Sequence, residues 1–250
     1  MSTPVLAARG LCKVFNGFAA VSEVDLSVQA GAIHALIGPN GAGKSTIFNL
    51  LTKFLNPSAG RIFFKGEDIT DDDPADIAQR GLVRSFQISS TFPHLSVLHN
   101  VRLALQRPQK VSFRFWRHER CLDSLDAPAQ ELLRRVGLEG ALHMRAADLS
   151  YGRKRALELA TTLALEPEVM LLDEPMAGLG REDIHRITEL IRETARGRTV
   201  VMVEHNLKVV SALANTVTVL ARGRVLAEGG YEEVAANPAV RSAYMGSAHA

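Results

Sequence analysis

Gly38-Pro39-Asn40-Gly41-Ala42-Gly43-Lys44-Ser45 has the glycine spacing and the closing Lys-Ser of a phosphate-binding P-loop. A turn of this kind can curl so that its backbone N–H groups converge on phosphate oxygens, and the helix that follows adds the positive end of its dipole. In that arrangement Lys44 reaches the β and γ phosphates, and the Ser45 hydroxyl ligates Mg²⁺. Thr46, next in the chain, is grouped with the cradle. The apolar run AIHALI before the motif and TIFNLLTKFL after it supply the strand and the helix that such a loop needs on its two sides.

A P-loop serves several kinds of nucleotide chemistry, and Val169-Met170-Leu171-Leu172-Asp173-Glu174-Pro175 narrows the choice. Four apolar residues read as a buried strand, and a carboxylate at its end belongs where Mg²⁺ sits beside the P-loop serine. Asp173 is thus the metal-side carboxylate. Successive strand residues face opposite ways, so Glu174 is free to aim at the attacking water as general base.

Positioning these groups requires a sheet. AIHALIG, RIFFKG, VRSFQ, EVMLLDE, TVVMVEH, TVTVLARG and RVLAEG read as strands alternating with helical patterns, which predicts an α/β core with a mostly parallel, helix-covered sheet. The start, VLAARGLCKVF followed by AAVSEVDLSVQ, reads instead as an N-terminal antiparallel β subdomain. Between about 90 and 164 helical patterns take over, including APAQELLRRVGL and YGRKRALELATTLAL, which predicts an inserted α-helical lobe. The expected organisation is one domain over 1–250, with a core at about 1–89 and 165–250.

With 250 residues, 29 basic and 27 acidic groups and a formal charge of +2, the chain offers no global electrostatic case for nucleic acid. Cys12 and Cys121 lack metal-ligand neighbours and read as reduced thiols. No apolar stretch approaches the ~18 residues that span a bilayer. Between Arg102 and Arg120, Arg102, Arg107, Lys110, Arg114, Arg117 and Arg120 meet only Glu119, with Phe113, Phe115 and Trp116 interleaved. This stretch reads as a solvated insertion or as a surface meeting lipid headgroups or a permease loop.

Over essentially its full length the chain resembles the ATP-binding subunits of ABC transporters, whose P-loop NTPase core has the fold just described. Leu149-Ser150-Tyr151-Gly152-Arg153 is similar to the family signature LSGGQ and stands shortly before the Asp173-Glu174 strand. Ser150 reads as the cap of a helix beginning near Tyr151, whose amides can receive a phosphate. The resemblance implies that Ser150 and Gly152 take the phosphate of an ATP held by the opposite subunit, so that two nucleotides are buried between two head-to-tail copies. It further implies that Gln87, in Arg84-Ser85-Phe86-Gln87, joins the Mg²⁺ and water site. His205, closing TVVMVEH, would contact the γ phosphate and help position the water. Phe15 would stack on adenine, with Phe18 as a possible substitute.

By the same resemblance the cofactors are ATP and Mg²⁺, and the partner is a second ABC ATPase subunit in a homodimer or heterodimer. Integral membrane permease subunits and, indirectly, a periplasmic or lipoprotein solute-binding protein complete the set, with the chain peripheral at the cytoplasmic face of the inner (plasma) membrane. The stretches RSFQISSTFPHLSVLHNVRLAL, LSYG, DEPMAGL, VEHNLKVV and NPAVRSAYMG look most like the ATPases of bacterial branched-chain amino acid uptake. Tyr151 in place of a signature glycine, Arg153 in place of glutamine, and Ala177-Gly178-Leu179-Gly180 without an acidic residue depart from the family pattern. Two alternatives stay open: a soluble non-transport ABC ATPase, and a catalytically silent ATP-binding subunit, which the changes at Arg153 and Gly180 motivate.

Overall fold

Strands β1 (Leu6–Phe15) and β2 (Phe18–Val28) form a hairpin closed by Asn16-Gly17, both at positive φ (47° and 87°). A two-residue turn of that kind matches the twist of the strands it joins. The computed structural model describes residues 3–85, 91–107 and 124–246. After the hairpin come β3 (Ile33–Ile37), α1 (Lys44–Leu51), β4 (Ala59–Phe64), β5 (Glu67–Asp68), α2 (Pro74–Gln79) and β6 (Leu82–Ser85). Three helices follow: α3 (Val97–Leu105), α4 (Asp126–Arg135) and α5 (Tyr151–Leu163). The chain then alternates through β7 (Val169–Asp173), α6 (Arg181–Thr194), β8 (Thr199–Val203), α7 (Leu207–Leu213) and β9 (Thr216–Ala221). It ends with β10 (Arg224–Gly229), α8 (Tyr231–Ala236) and α9 (Pro238–Gly246).

Two sheets result, in the orders β2-β1-β4-β5 and β10-β9-β3-β8-β7-β6. The second is parallel at every pairing except β10 on β9, so the α/β core with a mostly parallel sheet is as the sequence predicts. The first is antiparallel throughout and takes in RIFFKG as β4, a strand that lies beyond the P-loop in sequence. The antiparallel unit is therefore larger than the N-terminal hairpin alone.

Period-2 alternation sorts the central strands onto two cores. Val169, Leu171, Val201 and Val203 join Phe48 and Leu51 of α1 on one face, while Met170, Leu172, Val200 and Met202 pack under α3 to α7 on the other. Leu82 lies on the α1 face, and two residues along β6 Arg84 follows it there, as does Asp173 two residues after Leu171. Helices α3, α4 and α5 pack on one another between β6 and β7 in sequence. Of the basic stretch only the beginning is described: Arg102 pairs with Asp126 at 3.0 Å, and Arg107 donates to the Ala75 carbonyl at 2.9 Å.

A buried polar chain ties β3 to the sheet edge. His34 Nε2 lies 2.7 Å from Thr218 Oγ1, which donates to Glu228 Oε2 at 2.5 Å. Thr218 has one hydrogen and gives it to Glu228, so it accepts from a neutral His34 protonated at Nε2. Burial pushes the His34 pKa down from 6.5 to about 4. The unfolded chain takes up a proton near its ordinary pKa while the folded imidazole stays neutral, so stability is full above that value and falls as pH drops toward the folded one. Between about pH 7.5 and about pH 5 the expected loss from this group is about 2 kcal/mol. Urea unfolding at the two pH values should show this drop in wild type and a shallower one in His34→Gln.

Candidate active site

The fully buried strand β3 delivers the chain to the P-loop, and α1 carries it away. Gly43 stands at the helix N-cap with φ 103°, and a Cβ there would come within 2.7 Å of the Ala20 carbonyl. The loop is held from the other side by the Gly223 amide, which donates to the Ala42 carbonyl at 3.0 Å, while the Gly223 carbonyl accepts from Ser22 N at 2.8 Å. Lys44 is buried, and its ammonium donates to the carbonyls of Gly38 at 2.8 Å and Pro39 at 3.0 Å. Among the described residues two of its three hydrogens are thus committed to its own loop. Burial lowers the Lys44 pKa, and the nearby carboxylates of Glu174 and Asp173 oppose that shift. Gly38 is buried and Thr46 half-buried, whereas Asn40 and Ser45 are exposed on the side a phosphate would approach.

Asp173 ends β7 with its side chain buried. One oxygen, Oδ2, accepts from Arg84 at 2.6 Å. The other, Oδ1, is buried without a hydrogen-bond partner among the described residues. A buried anionic oxygen with no donor suits a cation or its water shell. Arg84 itself is anchored by Asn49 Oδ1 at 2.5 Å and lies over the rings of Phe48 at 5.9 Å and Phe54 at 6.0 Å.

Glu174 turns out of the strand at φ 47°, a conformation few non-glycine residues adopt. Its amide donates to the Val203 carbonyl at 3.0 Å. One carboxylate oxygen, Oε1, lies 2.7 Å from His205 Nε2. A carboxylate has no hydrogen to give, so Nε2 carries the proton and donates it. Both side chains keep contact with solvent, at 24% exposure for Glu174 and 44% for His205. A base oriented by an imidazole and open to water can take a proton from a bound water molecule.

Ser150 occupies the N-cap of α5 in extended conformation, as the sequence suggests, but its hydroxyl is exposed and makes no bond to the helix amides. Those first-turn donors are therefore left for an outside acceptor, and the capping bond expected from sequence is not formed. The start of α5 lies against the segment after Glu174: the Asp183 carboxyl occupies the place a side chain at Gly152 would take, and Tyr151 lies over Gly178. Phe15 and Phe18 face each other across the β1–β2 hairpin tip, both exposed, with the Lys13 ammonium 5.2 Å from the Phe15 ring. Gln87 lies outside the described residues.

A family profile described as ABC transporter matches residues 21–177, well over half of the chain. The chain belongs to the ABC transporter family. A second profile, branched-chain amino acid ATP-binding cassette transporter, matches residues 224–250. The high-affinity branched-chain amino acid transport ATP-binding protein LivG of Escherichia coli K12 is 36% identical over 260 residues, covering 99% of this chain and 100% of its own. The corresponding protein BraF of Pseudomonas aeruginosa is 35% identical over 258 residues, with the same coverage of 99% and 100%. Among solved structures, the ADP conformation of MJ1267, an ATP-binding cassette of an ABC transporter, superposes with a TM-score of 0.84 at 29% identity, covering 98% of this chain and all of that one. The chain is thus an ATP-binding ABC ATPase. Among the described residues no helix is long and apolar enough to cross a membrane.

The departures from the ABC pattern fit one another locally. Gly178 has φ 75°, and a Cβ there would stand 3.1 Å from the Tyr151 ring. Tyr151 in turn accepts from Arg155 at 3.2 Å, and Arg155 forms a buried pair with Glu158 at 2.8 Å. Burial raises the Glu158 pKa, and the Arg155 guanidinium opposes that shift. Two further charged residues beside Asp173 and His205 carry no distinctive sequence pattern. Arg84, half-buried and paired with the buried Asp173, is one, and Glu204, buried beside His205, is the other. The only signal in the sequence is a charged residue near the end of, or just after, a largely apolar strand.

Proposed function

We propose that this ABC ATPase energises a membrane permease for branched-chain amino acids, with Glu174 as general base and His205 orienting it. The observation that carries the catalytic part is the meeting, at one end of the parallel sheet, of the Lys44 ammonium, the Asp173 carboxylate and the Glu174–His205 pair at 2.7 Å. The substrate rests on the end-to-end likeness to LivG and on the match at 224–250.

In this reading the P-loop amides and Lys44 bind the phosphates, and Phe15 stacks on the adenine. Ser45, Gln87 and the unpartnered Oδ1 of Asp173 hold Mg²⁺, which screens phosphate charge when bound. Glu174 takes a proton from the attacking water while His205 fixes its carboxylate. The start of α5, where Ser150 is exposed and Gly152 lies buried beside it, receives the phosphate of an ATP on a second ABC subunit, identical or paralogous. Residues at about 90–164 form the lobe that meets the permease. Phe92 suits that role, because it is 56% exposed while its backbone is held by the buried Asn100 side chain at 2.7 and 3.1 Å. The chain would then sit peripherally on the cytoplasmic face of the membrane, reached indirectly by a solute-binding protein.

The test is phosphate release by the subunit assembled with its co-encoded permease in liposomes containing the binding protein. Leucine, isoleucine and valine are expected to stimulate release, and urea and short amides are not. Stimulation by another solute alone would retain the motor and overturn the substrate.

A further inference from the structure

Glu204 follows the fully buried strand β8 and is itself 3% exposed. Among the described residues it forms no ion pair, and its charge is met by backbone amides from two separate loops. Oε1 accepts from Met176 N at 2.9 Å, and Oε2 accepts from His205 N at 2.9 Å and Asn206 N at 3.0 Å. Charge-assisted bonds of this kind are stronger and more directional than neutral ones.

Met176 stands two residues after Glu174, and the Glu174 amide is already tied to Val203 immediately before Glu204. The loop bearing the base is therefore gripped at 174 by the β8 backbone and at 176 by one oxygen of Glu204. The other oxygen grips the loop bearing His205, and Asn206 secures the far side by accepting from Lys208 N at 3.1 Å and Val209 N at 3.4 Å. We propose that Glu204 is the positioning residue that sets the Glu174–His205 contact, by holding both loops with the two oxygens of one carboxylate. This rests on the reading of Glu174 and His205 given above.

Only a carboxylate can serve both loops. Glutamine has the same shape but would turn an NH₂ toward one set of N–H donors, leaving either Met176 or the His205 and Asn206 amides unpaired. Aspartate keeps the charge and is one methylene too short to span the two loops.

The experiment is steady-state ATP hydrolysis by the assembled transporter carrying Glu204→Gln, Glu204→Asp, His205→Ala, Glu174→Gln, or Glu204→Gln with His205→Ala. Melting temperature and ATP binding are measured on the same proteins. A misplacement of the reacting groups by about 1 Å is worth on the order of 10²-fold in rate, so Glu204→Gln and Glu204→Asp are expected to lose kcat on that scale with KM for ATP little changed. Adding Glu204→Gln to His205→Ala should then cost little more than His205→Ala alone. Wild-type kcat in Glu204→Gln or Glu204→Asp beside an inactive Glu174→Gln would overturn this inference alone. Losses that multiply in the double variant would overturn it too. Turnover surviving Glu174→Gln would overturn the catalytic reading and this inference with it.

Discussion

Glu174→Gln is expected to lower phosphate release by roughly two to four orders of magnitude, the scale of a lost general base, while nucleotide binding persists. The substitution is nearly isosteric, and the Gln oxygen can still accept from His205 Nε2, so the 2.7 Å contact and the turn at φ 47° need not change. What is removed is the capacity to take a proton. Binding should survive because the proposed phosphate contacts come from the P-loop amides and from Lys44, which are held through the Gly38, Pro39 and Ala42 carbonyls rather than through Glu174. Phosphate release and equilibrium ATP binding on the same protein separate the two effects. Undiminished turnover would remove Glu174 from the role of base.

The cradle and the paired carboxylates were legible in the sequence because their chemistry is local. Six residues with glycines at 38, 41 and 43, followed by Lys-Ser, make the loop wherever a buried strand meets a helix, and alternation alone sends Asp173 toward α1 beside Leu171. Pairings made across the fold were not legible in the same way. RIFFKG reads as a strand, but nothing in it says that it crosses to β1, where Leu6 faces Phe64 in antiparallel register. Ser150 stands where a cap should stand, yet its hydroxyl makes no capping bond, which the local sequence does not foretell. Arg84 and Asp173 are 89 residues apart in sequence, and Glu204 takes amides from a loop 28 residues upstream. A charged residue ending an apolar strand is a hint that it has found a partner, and only the tertiary contact says which.

Arg84 is the residue whose loss should most disturb the resting site. Its guanidinium meets Asp173 at 2.6 Å with the two side chains only 11% and 2% exposed. Arg84→Met preserves much of the apolar volume between Phe48 and Phe54 but leaves the Asp173 carboxylate without its cation. Breaking a buried pair from one side costs about 3–5 kcal/mol, because the remaining charge stays desolvated. Urea unfolding without nucleotide or metal should register a loss of that size. Arg84→Met combined with Asp173→Asn should recover most of it, since removing both charges abolishes the penalty that either single change exposes. Additive losses in the double variant would mean that Arg84 acts through Asn49 and the two rings and not through Asp173. The predicted coupling also bears on function. β6 leads from Arg84 toward Gln87, and β7 ends at the two carboxylates, so this ion pair ties one strand end to the other where the metal, the water and the helical lobe are proposed to meet.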